Sequence, residues 1–551
     1  MRVRGILPSR RVWTSALLAG AFPVLVAVHA PLSLFAANID EVLPQETIRS
    51  FALLGLVSLL SAILLSALLR SPAKGALASG IGWIAFLSYG HVYNALKAFT
   101  VAGVLLGRHR YLAPLFILVV LAAWIWIARR PRLAARNLVP LSLAALILVL
   151  LSAIPVVGYL RPGAGLEPTA PVGLPTDGAS PTGGPARADL PDIYYIIVDA
   201  HGRADTLKAL YGYDNSSFIE ALRSQGFYVA ERSLSNYSQT ALSLGSSLNM
   251  AYLDELAVEL GPSSQDRRPA RELVTRNAVM ALARDLGYEI VTTETALLWE
   301  VFEGADEVLR PDYATLRSEF ALLGALGLSP FEGMLVETTL ARVWYDQLVR
   351  GQQTAQSVTP FEYHKHRERI LFQFEQLRRL PEREGPQFVL VHIMAPHAPF
   401  VFGALGEEVP NARAFTLLDG GCCAWEEYRE RLPAQVEFID RMLTETVRAI
   451  LSASPRPPII VIQGDHGPAG YVYGEWRPEL GRLDRMAILN AYYLPVGCRH
   501  VLYPEITPVN TFRVVFGACL GLPLDLLPDA SYFSDYERPY EFVQVTPRNL
   551  E

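Results

Sequence analysis

Five stretches without a charged residue follow one another in the first 160 residues of this chain, at residues 12–39, 51–69, 75–96, 111–128 and 137–160. Each approaches or exceeds the roughly 20 residues that a helix needs to cross the apolar core of a bilayer. A cleavable signal peptide supplies one such stretch near the N-terminus, not five in series. The sequence therefore predicts a bundle of about five transmembrane helices over residues 1–160.

Basic residues in the connecting segments predict the orientation of this bundle. With the N-terminus inside, the inner segments hold ten Lys and Arg residues, and the outer ones hold four, namely Arg49, Lys97, Arg108 and Arg110. Five spans then place everything after residue 160 outside, which predicts a multi-pass protein of the inner or plasma membrane with an extracytoplasmic, periplasmic C-terminal domain. The third stretch contains His91 and Asn94, and a re-entrant course there would reverse the orientation.

Charge and cysteine content describe the environment of the rest of the chain. The net charge of −6 and the lack of a basic stripe argue against a nucleic-acid partner. All four cysteines lie in the C-terminal part, at Cys422, Cys423, Cys498 and Cys519. This distribution suits an oxidising compartment, although the sequence does not reveal their pairing.

Residues 161–190 contain six prolines and six glycines, a composition that predicts a tether between domains. Residues 191–551 then alternate short β-branched or aromatic runs with amphipathic stretches. This alternation predicts an α/β domain with a mostly parallel central sheet flanked by helices. The clearest predicted strands are 193–198, 387–393 and 458–463, whereas most of the stretch 250–380 is predicted to be helical with turns.

Polar residues follow each of these three strands. Asp199 follows the first, His392 and His397 end and follow the second, and Asp465 and His466 follow the third. Because the carboxyl ends of parallel strands meet at one edge of a sheet, these carboxylates and imidazoles predict a metal site there. Taken singly, Asp199 is also a plausible helix N-cap, and His392 a core histidine.

The order of these elements resembles the alkaline phosphatase superfamily in its sulfatase-like branch. The carrying features are an aspartate after the first strand, a hydroxyl-bearing loop some forty residues later, the spacing His392-x4-His397 and the late Gly-Asp-His-Gly at 464–467. With five membrane spans, a linker and an extracytoplasmic domain, the chain is similar to lipoteichoic acid synthases and lipid A phosphoethanolamine transferases. The resemblance implies an alkaline phosphatase/sulfatase-like fold for residues 191–551.

The hydroxyl-bearing loop SNYSQTALSLGSSLNM, residues 235–250, contains the candidate nucleophile. Thr240 with the following Ala-Leu-Ser-Leu is similar to the nucleophile loop of the phosphoethanolamine transferases. The resemblance implies that Thr240 attacks phosphorus and that Asp199, Asp465 and His466, with Thr240 itself, bind a divalent metal. Oxygen and nitrogen ligands of this kind suit Mn²⁺, Zn²⁺ or Mg²⁺. The alternative interpretation is a small-residue turn whose hydroxyl caps a helix.

The same resemblance gives His392 and His397 a place on the substrate side, where they protonate a leaving oxygen or hold the phosphoryl group. His201 and Arg203, just past Asp199, are candidate phosphate contacts. For these two residues a solvent-exposed position without a role in the reaction is an equal alternative.

The predicted function is metal-dependent transfer or hydrolysis of phosphate esters, through a phosphothreonine intermediate. A phosphoglycerol- or phosphoethanolamine-like group would pass from a membrane lipid donor to an envelope glycan acceptor. No Cys/Ser-x-Pro-x-Arg motif occurs near Thr240, which disfavours the formylglycine route of sulfatases. The flanks of Thr240 and the use of Asp199 where the transferases have glutamate also depart from the family pattern. A sulfatase-like hydrolase of glycan esters and a non-catalytic glycan- or partner-binding protein remain alternatives.

Overall fold

The computed structural model describes most of the chain as two compact units. Unit 1, the membrane unit, comprises Met1–Pro162 and Ala314–Gln356, and unit 2, the α/β unit, comprises Gly163–Tyr313 and Ser357–Glu551. The described residues are 10–39, 42, 44–97, 100–101, 104–105, 107–130, 138–160, 190–297, 299–313, 328–350, 361–411, 415–419, 421–473 and 478–545. Nearly all of the predicted linker, 161–190, lies outside them.

The membrane unit begins with a helix at each of the five apolar stretches. These are α1 Arg10–Ala37, α2 Pro44–Leu68, α3 Pro72–Leu96, α4 His109–Arg129 and α5 Val139–Leu160, with a two-stranded hairpin, β1 Thr100–Val101 and β2 Val104–Leu105, before α4. Four of them are long and apolar enough to cross a membrane, over Gly20–Ala37, Pro44–Leu68, His109–Arg129 and Val139–Tyr159. The structure therefore confirms an apolar helical domain of five helices, four of which meet the length and composition expected of a membrane span.

The helix that fails this criterion is α3, which has the most buried residues among those described in the five helices. Small residues let its neighbours approach closely: a Cβ on Gly80 would lie 2.1 Å from the Phe22 ring, and one on Gly75 would lie 2.2 Å from Ser66 Oγ. His91 and Asn94, which lower its hydropathy, lie near its C-terminal end. Close packing against other helices allows α3 a more polar composition than a lipid-facing helix can have.

A segment far away in sequence completes the membrane unit. Two helices, α12 Pro330–Thr338 and α13 Arg342–Arg350, form an insert. Helix α12 packs on α1, α2 and α3, and Leu340 and Val343 pack beside Leu112 of α4. Arg49 forms an ion pair with Glu332, and His109 Nε2 lies 2.7 Å from Asp346 Oδ2. This insert was not predicted, because its two helices are too short and too polar to resemble membrane spans.

The α/β unit is built on a seven-stranded sheet in the order β4-β9-β8-β3-β7-β5-β6. Its strands are β3 Ile193–Val198, β4 Tyr228–Val229, β5 Glu289–Thr293, β6 Glu307–Leu309, β7 Gln387–Ile393, β8 Ile459–Gln463 and β9 Asn490–Tyr493; β10 Ser531–Phe533 and β11 Val543–Val545 form a separate antiparallel pair. The pairs β3–β7, β3–β8, β5–β7 and β5–β6 are parallel, and only β9 and β4 run antiparallel. The predicted mostly parallel α/β fold is confirmed.

Helices cover both faces of this sheet. They are α6 Ala204–Tyr211, α7 Ser216–Ser224, α8 Thr240–Ser247, α9 Asp254–Leu260, α10 Arg268–Thr275, α11 Ala278–Asp285, α14 Phe361–Arg379, α15 Trp425–Ala453, α16 Gly470–Tyr473 and α17 Pro478–Met486, with a π-helix at Arg513–Cys519. Alternate residues of β3 enter opposite cores: Tyr195 packs in one and Tyr194 in the other. Burial on both faces explains why this strand reads as an unbroken apolar run.

The helical prediction for most of the stretch 250–380 missed two strands. The stretch contains α9 to α14, but also β5 and β6, two parallel strands at one edge of the sheet. These strands are short, and β5 carries the sequence EIVTT, in which a charged first residue and two threonines hide the apolar signal.

All four cysteines form disulfides, Cys422 with Cys423 and Cys498 with Cys519. The second joins the turn after β9 to the π-helix, 21 residues later. Disulfides persist in oxidising compartments, in agreement with the environment predicted for this domain.

Candidate active site

The carboxyl ends of three adjacent strands bring the predicted residues together. β3 lies between β7 and β8, and Asp199, which follows β3, donates its backbone N–H to Ile393 O at the end of β7 over 2.9 Å. Ala200 then adopts a left-handed conformation, with φ of 61°, and its N–H lies 3.3 Å from Asp465 Oδ1 beyond β8. A non-glycine residue with positive φ stores strain, and such strain concentrates at functional sites.

Asp199, Asp465 and His466 form a buried cluster in which one ligand atom from each residue lies within 4.8 Å of the others. Gly467 permits the tight loop after His466, since a Cβ there would lie 2.0 Å from Asp484 O. Asp199 Oδ1 and Asp465 Oδ2 accept no hydrogen bond. They face His466 Nε2 at 3.7 and 3.3 Å.

These residues fit a divalent cation. Buried carboxylate oxygens without a hydrogen bond carry a large desolvation cost, which a bound cation would remove. His466 Nδ1 lies 3.0 Å from Gly467 O, so donation of an Nδ1–H there leaves the Nε2 lone pair facing the two carboxylates. Burial lowers the pKa of His466, and a neutral imidazole is the form that binds metals. Both oxygen and nitrogen donors are compatible with Mg²⁺, Mn²⁺ or Zn²⁺.

Thr240 is the hydroxyl of the 235–250 loop that reaches this cluster. It is the first residue of α8, it is half-buried, and its Oγ1 lies 3.1 Å from His466 Nε2. Anions bind well at a helix N-terminus, where backbone N–H groups point outward. The arrangement combines a hydroxyl, a candidate metal site and a place for a phosphoryl group.

The other six hydroxyls of this loop, which the structure describes throughout, have partners elsewhere. Their hydrogen bonds join Ser235 to Met486 Sδ, Tyr237 to the Leu253 N–H, Ser238 to Ser534 O, Ser243 to Asp465 O, Ser246 to Ala251 O and Ser247 to Leu244 O. These hydrogen bonds attach the loop to the rest of the fold, and Ser243 holds the main chain of Asp465, a candidate metal ligand. The geometry thus separates Thr240 from its neighbours.

His392 lies behind the cluster rather than in its open part. Its Nε2 lies 3.2 Å from Asp199 Oδ2 and its Nδ1 lies 2.8 Å from Glu300 Oε2, with all three side chains fully buried. Burial lowers the pKa of His392, but Glu300 and Asp199 outweigh it and raise the pKa well above its usual value. A charged His392 between two carboxylates positions Asp199 and has no ring nitrogen left for a substrate.

Replacement of Glu300 by alanine is expected to destabilise the protein by about 3–5 kcal/mol, because it leaves a buried imidazolium with one partner fewer. Glu303→Ala is the matched control, since Glu303 forms a half-exposed ion pair with Arg276 and should cost less than about 1 kcal/mol. Urea unfolding of both variants measures the difference. Equal losses would show that the Glu300–His392 pair has no special weight.

His397 belongs to a second charged group beside the cluster. Its Nε2 lies 3.0 Å from Asp419 Oδ1, and Arg485 Nη2 lies 2.9 Å from Asp419 Oδ2. Burial lowers the pKa of His397, whereas Asp199 and Asp419 raise it, with a net rise to about 9. Its ring centre is 6.2 Å from that of His466. His397 therefore holds a positive charge next to the candidate metal site at neutral pH.

Burial and the neighbouring histidines shift the pKa of Asp199 in opposite directions. Burial raises its pKa, but His397, His466 and His392 together lower it well below the usual range. Asp199 is therefore ionised at neutral pH, as a metal ligand must be.

His201 and Arg203 do not join this group. His201 Nε2 lies 2.7 Å from Asp440 Oδ1 and its Nδ1 lies 3.0 Å from Gly202 O, so both ring nitrogens have partners inside the protein. Arg203 binds Asp205 through Nε and Nη2, and donates Nη1–H to Ser233 O. These contacts leave neither residue directed at a phosphate beside Thr240.

Three residues of this region were not identified from the sequence, namely Glu300, Asp419 and Arg485. Glu300 lies 92 residues before its partner His392. Asp419 lies in an irregular loop before the Cys422–Cys423 disulfide, and Arg485 lies near the end of α17. None of them follows a predicted strand, the pattern that indicated Asp199, His392, His397, Asp465 and His466.

The buried Asp484 beside Arg485 provides a pH-dependent test of this region. Tyr211 donates its O–H to Asp484 Oδ2 over 2.7 Å, while Oδ1 accepts no hydrogen bond, and burial raises the pKa from 3.8 to about 7. Between pH 4 and 7 the unfolded chain loses this proton while the folded protein retains it. Stability should therefore fall by about 4 kcal/mol over that interval.

Asp484→Asn removes this pH-dependent contribution to stability. The free energy of unfolding of the variant, relative to that of the wild type, should therefore rise by about 4 kcal/mol between pH 4 and 7. Chemical unfolding at several pH values measures it, with the exposed Asp285→Asn as control. Parallel wild-type and Asp484→Asn curves would refute the raised pKa.

Comparisons with known proteins were made for the whole chain. No protein-family model and no curated protein matches it. Among solved structures it is similar to the periplasmic domain of EptC from Escherichia coli, with a TM-score of 0.39, 10% identity, and coverage of 66% of this chain and 95% of that one. It is also similar to the integral membrane lipooligosaccharide phosphoethanolamine transferase A (EptA) from Neisseria meningitidis, with a TM-score of 0.35, 13% identity, and coverage of 92% and 95%.

A third similar structure is BT1596, a 2-O GAG sulfatase, with a TM-score of 0.37, 12% identity, and coverage of 62% of this chain and 77% of that one. Phosphoethanolamine transferases and sulfatases are the classes that the sequence resemblance names. At these TM-scores and identities the similarity assigns no activity, so the function depends on the residues of this chain.

Proposed function

We propose that this chain is a membrane-anchored, metal-dependent enzyme that transfers a phospho-substituent from a lipid donor, with Thr240 as the nucleophile. The substituent is phosphoglycerol- or phosphoethanolamine-like, and the acceptor is an envelope glycan. The observation that carries this proposal is the position of Thr240 Oγ1, 3.1 Å from His466 Nε2 in a cluster whose two carboxylates each keep a buried oxygen without a hydrogen bond.

In this proposal Asp199, Asp465 and His466, with Thr240, hold a divalent cation. When bound, such a cation lowers the pKa of a hydroxyl and neutralises charge on a phosphoryl group. Thr240 loses its proton to water as Oγ1 attacks the phosphorus of the lipid phosphodiester in line; the bond from phosphorus to the glycerol oxygen breaks, and diacylglycerol leaves with a proton taken from water. A hydroxyl of the acceptor then attacks the phosphothreonine, the bond from phosphorus to Thr240 Oγ1 breaks, and the acceptor proton restores the threonine hydroxyl.

The remaining residues support this transfer. His392, between Glu300 and Asp199, keeps the Asp199 carboxylate in position. His397 has the charge and the place to stabilise the phosphoryl oxygens. Of the two roles predicted for His397, proton donation fits poorly, because Asp419 and Ala398 O already occupy its ring nitrogens. Its contribution to holding the phosphoryl group is therefore the positive charge of the ring and not a direct hydrogen bond.

The same proposal places the α/β unit outside the inner or plasma membrane. The excess of basic residues in the predicted inner segments and the two disulfides support this orientation. The insert adds support, since its partners Arg49, Asn94 and His109 lie at helix ends that the basic residues place outside.

A substrate panel tests the reaction class. We expect the purified full-length protein with Mn²⁺, Zn²⁺ or Mg²⁺ to cleave phosphatidylethanolamine or phosphatidylglycerol to diacylglycerol, and aryl sulfates at least about 10²-fold more slowly. Faster cleavage of sulfate esters would favour the sulfatase-like alternative. Lack of turnover together with lack of bound metal would favour a non-catalytic protein.

A further inference from the structure

An apolar cavity of about 400 Å³ lies between α2, α3 and α4 of the membrane unit. This volume falls within the roughly 300–1,000 Å³ of small-molecule sites. Four aromatic side chains contribute to its wall, namely Trp83, Phe86, Phe116 and Trp124. Leu340 of the insert adds to the wall at the Phe86 end, where its N–H donates to Phe86 O over 2.8 Å. Side chains of packed helices usually fill such a space, so we expect this cavity to hold a bound molecule.

The polar groups in the wall already have partners. Ser61 Oγ and Ser79 Oγ lie 2.7 Å apart, and Trp83 Nε1–H donates to Ser61 Oγ over 3.1 Å. Trp124 Nε1–H donates to Ala78 O over 2.9 Å. The wall therefore offers no strong hydrogen bond to an occupant, and a polar headgroup inside would lose its hydration without compensation. The chemistry of the cavity selects a hydrocarbon.

One side of the cavity belongs to the lipid-facing surface of α4. Ile117 and Leu121 line the cavity and are also 50% and 46% exposed. Because α4 is one of the four helices long and apolar enough to span the membrane, acyl chains surround this opening. An acyl chain is thus the apolar molecule with direct access to the cavity.

Exposed cations stand at the end of α3 and α4 nearest to Phe86 and Phe116. Lys97 follows α3, and Arg108 and Arg110 flank the start of α4. Gly107 lies close to the end of α3, since a Cβ on it would lie 2.1 Å from Leu96 O. Arg110 is six residues, or about 9 Å along the helix, from Phe116. Basic residues on the side predicted to face outward go against the usual charge bias, and they suit a lipid phosphate.

We infer that this cavity binds an acyl chain of an anionic phospholipid, whose phosphate contacts Lys97, Arg108 and Arg110. The chain enters between the exposed Ile117 and Leu121 and packs against the rings of Trp83 and Trp124. This lipid site goes beyond the proposed phosphotransfer and does not require the metal centre.

The test is photo-crosslinking of the full-length protein in phosphatidylcholine vesicles that contain phosphatidylglycerol with a diazirine in the middle of one acyl chain. We expect adducts to concentrate on peptides that contain Phe86 and Phe116. Gly82→Leu should reduce them about tenfold, equivalent to 1.4 kcal/mol of binding. Gly82 lines the cavity, and a Cβ there would lie 3.5 Å from the Trp124 ring, so a leucine enters without severe overlap and fills the space.

Gly158→Leu is the matched control, because Gly158 is exposed on α5 and a Cβ there meets no atom within 4 Å. It should leave the adducts unchanged. Adducts spread evenly over the exposed faces of α2 and α5, or unchanged in Gly82→Leu, would overturn the site. Equal labelling by a phosphatidylcholine probe of the same chain would overturn the choice of an anionic lipid.

Two further measurements cover misfolding of Gly82→Leu and separate the lipid site from the proposed reaction. Should Gly82→Leu not fold, competition on the wild type decides: excess unlabelled phosphatidylglycerol should suppress the Phe86 and Phe116 adducts, and adducts that resist competition would overturn the inference. Thr240→Ala should label like the wild type. Failure of the lipid site is thereby distinguished from failure of the proposed reaction, since crosslinking needs no turnover.

Discussion

Thr240→Ala is expected to lower lipid phosphodiester cleavage by about 10⁴-fold or more, the size of effect seen when a nucleophile is removed from an enzyme that forms a covalent intermediate. The physical reason is that Thr240 Oγ1 is the hydroxyl that reaches His466 and the two carboxylates. Release of diacylglycerol from labelled phosphatidylethanolamine or phosphatidylglycerol in micelles measures the loss.

Ser247→Ala is the matched control for this substitution. Ser247 lies at the other end of α8, and its Oγ donates to Leu244 O over 3.3 Å. We expect it to retain activity within about threefold and to lose at most about 1 kcal/mol of stability. Similar activities of Thr240→Ala and Ser247→Ala would remove Thr240 from the mechanism.

Asp465→Asn is expected to abolish stoichiometric metal binding and to reduce turnover at least about 10²-fold. The substitution keeps an oxygen to accept the Ala200 N–H and removes the charge that faces His466. In the presence of a chelator it should stabilise the protein, because it removes one of two buried carboxylates that lie close together.

Added metal provides the second part of this test. At 100 times its Kd, a divalent cation should stabilise the wild type by about 2.7 kcal/mol, whereas Asp465→Asn should show little response. Elemental analysis and thermal unfolding with and without metal measure both effects, with the exposed Asp285→Asn as control. A wild type that neither contains metal nor responds to it would contradict the metal centre.

Much of the α/β unit was predictable because its central strands are buried on both faces. The runs 193–198, 387–393 and 458–463 correspond to β3, β7 and β8 within one residue. Parallel strands of this kind are nearly continuous apolar segments, and their ends mark a shared edge of the sheet. That rule sufficed to place Asp199, His392, Asp465 and His466 at this edge.

Other features depend on contacts that local sequence does not encode. Glu300 meets His392 across 92 residues, and Asp346 meets His109 across 237. Glu300 lies in an irregular segment and Asp346 in a short polar helix, so nothing nearby distinguishes either carboxylate from those of surface residues. The position of His201 was also invisible in sequence: it lies two residues after Asp199, yet it turns towards Asp440 on α15.

The third apolar stretch shows a similar limit. The mean hydropathy of a segment indicates how well it suits a helix surrounded by lipid. Helix α3 is instead packed against neighbouring helices through Gly75 and Gly80. Its Tyr89 and Tyr93 stack with His109, and Asn94 accepts a hydrogen bond from Arg342. The polar residues of this stretch therefore contact other parts of the protein, including the insert, which was not predicted from the sequence.

The central claim, that Thr240 carries the transferred group, is tested most directly by mass spectrometry of the 235–250 peptide. The full-length protein would be incubated with metal and with phosphatidylethanolamine or phosphatidylglycerol, then quenched in acid before digestion. We predict a phospho-adduct on Thr240 in the wild type that is absent from Thr240→Ala and retained in Ser247→Ala. A wild type that turns over lipid without an adduct, or an adduct that persists on this peptide in Thr240→Ala, would contradict the assignment.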